Sequence, residues 1–126
     1  MATAYIVDAV RTAGGRRGGK LASWHPVDLA AATLDALVAR SGIDGTKVDD
    51  VIMGCVTQAG QQAMQVGRNA VLAAKNLPDS VPAVTIDRQC GSSQQAMQFA
   101  AQAVMSGTMD VVIAAGVESM TRVPMG

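Results

Sequence analysis

Val84-Thr85-Ile86-Asp87-Arg88-Gln89-Cys90-Gly91-Ser92-Ser93 joins a short apolar run to a long uncharged segment. From Gly91 to Thr108 no residue carries a charge, and Ala96, Met97, Phe99, Ala100, Ala101, Ala103, Val104 and Met105 recur along it. That spacing predicts a helix over Ser92–Met105, ending at Gly107 and buried nearly all round. Val81–Ile86, just before it, reads as a strand. A strand that feeds a buried helix belongs to a mostly parallel sheet covered by helices.

Working outward, the same pattern recurs. Ala4–Val10 reads as a first strand, followed by a glycine-rich loop over Gly14–Gly19 and a helix over Pro26–Arg40. Pro26 suits the first helical position and Gly42 the residue just past the end. A strand over Val51–Met53 precedes a helix over Ala63–Lys75, which must stop before Pro78. Val111-Val112-Ile113-Ala114-Ala115 shows no alternation and reads as a strand covered on both faces. With no linker or internal repeat, the chain reads as one α/β unit, strand–helix three times and a fourth strand, joined by right-handed crossovers.

Composition narrows the function classes without choosing one. Ten basic residues balance ten acidic ones among 126, so no large field favours nucleic acid or an anionic membrane. No run approaches the roughly 18 apolar residues that a membrane span needs. Ala2–Val7 is too short for the core of a signal peptide before Asp8 interrupts it. Aromatic residues are only 2% of the chain, so the core must come from aliphatic side chains, and the eight methionines read as adaptable packing. Cys55 and Cys90, far apart and outside any C-x-x-C pair, give no sign of a disulfide or zinc site. A reducing, cytoplasmic setting is the expectation.

Cys90 itself admits two readings. Free cysteine often behaves as a small buried hydrophobe. A thiol at a helix start instead meets free N–H groups and the positive end of the helix dipole, which favour the nucleophilic thiolate. Arg88 nearby would add to that effect, and the small residues after Cys90 would let a substrate approach.

Gly14-Gly15-Arg16-Arg17-Gly18-Gly19-Lys20 approaches a phosphate-binding loop. Leu21 breaks the pattern, because Ser or Thr should stand there for magnesium and a helix should begin there, not near Pro26. The segment reads as a flexible, solvated basic loop. His25, the only histidine, precedes Pro26 and reads as a capping or surface residue. Cys55, beside a strand end, reads as packing. Glu118 follows a strand's carboxyl end, where open sheets place ligands, and reads as a residue that shapes a loop by hydrogen bonding.

Ile86-Asp87-Arg88-Gln89-Cys90-Gly91-Ser92-Ser93-Gln94-Gln95-Ala96 resembles the nucleophile motif of the thiolases. Three further blocks match in the family's order: Ile6-Val7-Asp8-Ala9-Val10-Arg11-Thr12, Gly54-Cys55-Val56-Thr57-Gln58-Ala59-Gly60 and Ala115-Gly116-Val117-Glu118-Ser119-Met120-Thr121-Arg122-Val123-Pro124. The resemblance implies a layered αβαβα fold, of which residues 1–126 form most of the N-terminal βαβαβαβ half with a mainly parallel sheet. It implies acyl transfer: CoA-dependent thiolytic cleavage of 3-oxoacyl-CoA to acetyl-CoA and a shortened acyl-CoA, or the reverse condensation. Cys90 would carry the acyl group and its backbone N–H would act as oxyanion donor.

Coenzyme A would be a co-substrate, with no tightly bound cofactor and no metal. Partners would be acyl-CoA substrates and CoA, with assembly into a homodimer or homotetramer around the third strand. The family's activating histidine and second cysteine belong to the C-terminal half and are absent here. The stop within a recognisable block at Val123-Pro124-Met125-Gly126 favours a fragment of a longer protein, inactive alone. A ketoacyl synthase type of condensing enzyme and a non-catalytic thiolase-like binding subunit are the alternatives. Two residues depart from the usual motif: Asp87 stands where many thiolases have Asn, adding a charge that would oppose a thiolate, and Ser93 where many have Gly.

Overall fold

Alternate residues of one short strand face opposite ways, and this organises the molecule. A computed structural model describes residues 2–126. Its elements are α1 (Pro26–Ser41), β1 (Asp50–Gly54), α2 (Val66–Ala73), β2 (Ala83–Ile86), α3 (Ser92–Met105) and β3 (Val112–Gly116). The sheet has the order β2-β1-β3 and both pairings are parallel. Val51 and Met53 of central β1 pack with Leu34 and Val38 of α1 and Val66, Ala70 and Val71 of α2. Ile52 packs on the other face with Ala96 and Ala100 of α3. The period of two along β1 therefore yields a helix–sheet–helix sandwich.

Local signals set the helix ends. The His25 imidazole accepts the Val27 N–H at 3.2 Å, capping α1 as the sequence suggested. Gly42, at φ 70°, closes α1 by donating its N–H to Val38 O at 3.2 Å. The left-handed turn needed there is one that glycine adopts without a steric penalty.

Helix α2 is shorter at both ends than the expected Ala63–Lys75. Met64 and Gln65 have φ of 56° and 66°, incompatible with a right-handed helix. Gln65 is drawn to β2 instead: its Nε2 donates to Ala83 O at 3.1 Å and its Oε1 accepts the Thr85 hydroxyl. At the far end, Asp35 of α1 accepts the Lys75 and Asn76 N–H groups at 2.8 Å each, drawing the chain out of the helix before Pro78 acts.

Two expectations need correction. Ala4–Val10 forms no strand, and Tyr5, Ile6 and Val7 are largely exposed. A strand requires a neighbour about 4.8 Å away. Here a cavity of about 500 Å³, lined by Thr3–Asp8, by residues of α1 and α3 and by Asp110–Ala114, lies beside β3. The segment is anchored by an ion pair from Asp8 to Arg40 at 3.2 Å. Helix α3 has the expected bounds but buries one face only: Ser92, Gln95, Ala96 and Ala100 are covered, while Met97, Phe99 and Met105 are 46, 42 and 38% exposed. One sheet covers one stripe of a helix, and glutamines, not apolar residues, supply much of its lack of charge. Among the described residues no helix is long and apolar enough to cross a membrane.

Candidate active site

The link from β2 to α3 is held by its own side chains. Asp87 Oδ1 accepts the Gln89 N–H at 2.7 Å. The Ser92 hydroxyl accepts the Arg88 N–H at 2.9 Å and donates to Gln89 O at 2.6 Å. Backbone bonds run from Gly91 N–H to Arg88 O and from Ser92 N–H to Gln89 O, both at 3.0 Å. The turn puts Gln89 at φ 48°, a left-handed conformation that costs about 1–2 kcal/mol for a side-chain-bearing residue. Cys90 stands at its crest, exposed, one residue before Gly91, the N-cap of α3. Among the described residues, none of the backbone bonds of the turn runs from the Cys90 amide N–H.

Two neighbours of Cys90 hold partners of their own. The Arg88 guanidinium donates to Gln95 Oε1 at 2.9 Å, and so is committed to α3. Asp87 is the acceptor that builds the turn. Its charge acts on Cys55, whose backbone N–H bonds to Ile86 O at 3.0 Å.

Glycines form the floor beneath the turn. In register, Gly54 lies between Ile86 of β2 and Gly116 of β3. A Cβ on Gly54 would lie 2.5 Å from Ser92 C and Ser93 N. One on Gly116 would overlap the Ser93 hydroxyl. Helix α3 therefore begins directly on the backbone of two strand ends, a closeness only glycine allows.

Beside this floor, Glu118 fulfils its expected loop-shaping role and does so with many bonds. Its Oε2 accepts the Val56 N–H at 2.8 Å, and its Oε1 accepts the Thr57 N–H at 3.3 Å and the Gln62 amide at 3.0 Å. Gln62, wholly buried, also donates to Thr57 O at 2.8 Å and accepts the Ser119 N–H at 2.7 Å. Burial pushes the Glu118 carboxyl up, but the Gln62, Val56 and Thr57 donors outweigh it and hold the group below its ordinary value. Gln62 carries no sequence signal that separates it from the glutamines around it. Gly54 and Gly116 were visible as glycines closing apolar strands, but their shared role was not.

Cys55 is buried, 1% exposed, and its thiol points at Glu118 Oε2 at 3.8 Å. Burial first, then the charge of Glu118, push that thiol up to about 12. A limiting dose of iodoacetamide on the full-length protein at neutral pH is therefore expected to label Cys90 at least tenfold faster than Cys55. Peptide mass mapping reads the ratio, and equal labelling would contradict the assignment.

The Gly14–Gly19 loop is largely exposed, and one bond joins it to a distant part of the chain. Gly18 N–H donates to Thr121 Oγ1 at 3.2 Å, and Arg122 donates to Ala22 O and Ser23 O at 3.2 Å and to Gln61. No helix starts until Pro26, so a phosphate cradle lacks its helix N-terminus. His25 is committed to capping α1. Among the described residues no group of three His, Cys, Asp or Glu side chains converges to hold a metal.

The model of the thiolase N-terminal domain matches residues 4–126. This chain belongs to the thiolase family. It is 56% identical over 125 residues to a steroid 3-ketoacyl-CoA thiolase of Mycobacterium tuberculosis, covering 99% of this chain and 30% of that protein. To a beta-ketoadipyl-CoA thiolase of Acinetobacter baylyi it is 48% identical over 125 residues, covering 98% and 31%. The crystal structure of the Bacillus anthracis acetyl-CoA acetyltransferase superposes with a TM-score of 0.78 at 42% identity, over 85% of this chain and 27% of that one. This thiolase chain thus spans about 30% of the length of the curated relatives it matches. Its α/β architecture with a parallel sheet is that of a thiolase.

Proposed function

We propose that residues 1–126 are an incomplete thiolase N-terminal domain and that Cys90 is the acyl-carrying nucleophile of the complete protein. The observation that carries this reading is the contrast between two thiols of one chain: Cys90 exposed at the head of a 14-residue helix, Cys55 buried against a carboxylate. The reaction is thiolytic cleavage of a 3-oxoacyl-CoA. The Cys90 thiolate attacks the 3-keto carbon, and the carbon–carbon electron pair leaves with the acetyl-CoA fragment, which takes up a proton. The acyl group remains as a thioester on Cys90. The sulfur of CoA, its proton passing to a base outside these residues, then attacks that thioester, releasing a shortened acyl-CoA and restoring the thiolate. Condensation is the same sequence in reverse.

Each attack places negative charge on a carbonyl oxygen. The Cys90 amide N–H, which makes none of the turn's backbone bonds among the described residues, is suited to receive it, and a fixed donor of this kind lowers the barrier by about 3 kcal/mol. The covalent intermediate divides one difficult displacement into two easier ones. A base for the Cys90 proton and an acid for the departing fragment come from the rest of the polypeptide, since the one histidine here caps α1. Coenzyme A is a co-substrate, and the substrates are acyl-CoA thioesters, as the relatives' names suggest for those proteins.

The test is to mix the full-length protein with acetyl-CoA, quench it in acid and map the adduct by mass. One acetyl group on the Cys90 peptide, removed by added CoA, is expected. Acylation elsewhere would overturn the nucleophile assignment, and no acylation at all would favour a non-catalytic binding subunit.

A further inference from the structure

We propose that Glu118 is a positioning residue for the Cys90 nucleophile, acting by locking together the two strand ends on which helix α3 begins. This rests on the acyl-transfer reading above. The height of Cys90 depends on Ser92 and Ser93, and these rest on Gly54 and Gly116. Glu118 lies two residues after Gly116, and its carboxylate grips the Cys55 thiol and the Val56 and Thr57 amides, one to three residues after Gly54. Val117 N–H completes the join by donating to Gly54 O at 3.0 Å. One carboxylate therefore pins both halves of the floor, and none of its hydrogen bonds among the described residues goes to Cys90.

The charge matters as well as the shape. Among the described residues the carboxylate's hydrogen-bond partners are all donors: two backbone N–H groups, the Gln62 amide and the Cys55 S–H. An ionised acid accepts all of them, whereas a primary amide of the same size turns its own N–H groups toward some of them. Gln62 extends the lock to Ser119 on the far side of Glu118. Loss of the charge should let the β1 and β3 ends part, and α3 moves with them. Misplacing a nucleophile by even about 1 Å lowers turnover strongly, up to about a hundredfold.

The experiment uses the full-length protein with Glu118→Gln and Glu118→Asp, measured per folded molecule against acetoacetyl-CoA and CoA. Glu118→Gln is expected to lower kcat by about ten- to a hundredfold, while KM changes by less than about threefold. Acetylation of Cys90 in a single turnover should slow by the same factor, and Glu118→Asp should recover part of it. A purely structural role would lower the folded fraction and leave kcat per folded molecule unchanged. That result overturns the proposal, as does failure of both variants to fold. If the wild-type protein acetylates Cys90 and Glu118→Gln does so at the same rate, only the positioning role falls. If the wild-type protein never acetylates Cys90, it is the acyl-transfer reading that fails.

Discussion

Replacing Cys90 by Ala in the full-length protein is expected to lower acyl transfer by on the order of 10⁴-fold or more, the scale on which removal of a covalent nucleophile acts. Stability should change by less than about 0.5 kcal/mol, because the side chain is exposed and leaves no core contact behind. The two outcomes are independent readouts. Rates with acetoacetyl-CoA measure the first and denaturant unfolding the second. Near-wild-type turnover by a folded Cys90→Ala would refute the covalent route. The size of the expected loss follows from the proposed covalent route: without the Cys90 thiolate no acyl-enzyme forms.

The second large effect is expected at Gly54, which touches no substrate. Ala at this position would bring its Cβ to 2.5 Å from Ser92 C and Ser93 N. Both are backbone atoms, so no side-chain rotation relieves the clash and α3 must move. Overpacking of this kind costs about 1–3 kcal/mol, and the displaced helix start should lower the rate of Cys90 acylation by up to about a hundredfold. Gly14→Ala is the matched control, because a Cβ there meets nothing within 4 Å, and its stability should change by less than about 0.5 kcal/mol. Thermal unfolding together with single-turnover acylation checks both. If Gly54→Ala acylates at the wild-type rate, the strand ends do not set the height of Cys90.

These expectations separate what local chemistry shows from what it hides. Helix α1 was legible to within a residue because Pro26, Gly42 and the apolar stripe between them act within the element itself. The bounds of α3 followed in the same way. The start of α2 was not legible, since Gln65 is held left-handed by β2, a strand many residues later. Its end was hidden too, since the acceptor that draws off Lys75 and Asn76 sits on α1. The strand expected over Ala4–Val10 has the right composition, but composition cannot supply a hydrogen-bonding neighbour.

The same division runs through the site. Cys90 and its place at a helix head were written in Ile86–Ala96, because a turn and a helix start are built from consecutive residues, and the family resemblance in that block together with three others. The roles of its neighbours were not: Arg88 is turned to Gln95 and Asp87 serves the turn, and only side-chain directions in space decide such pairings.

By itself, then, the sequence determined the order of strands and helices from Pro26 onward and the nucleophile candidate, which rest on residues close along the chain, and the family, which rests on four blocks of sequence. The tertiary structure alone decided what lies beneath Cys90. Gly54, Gly116, Glu118 and Gln62 come from separate stretches and meet only when three parallel strands align their carboxyl ends in register, and nothing local to any one of them announces the others.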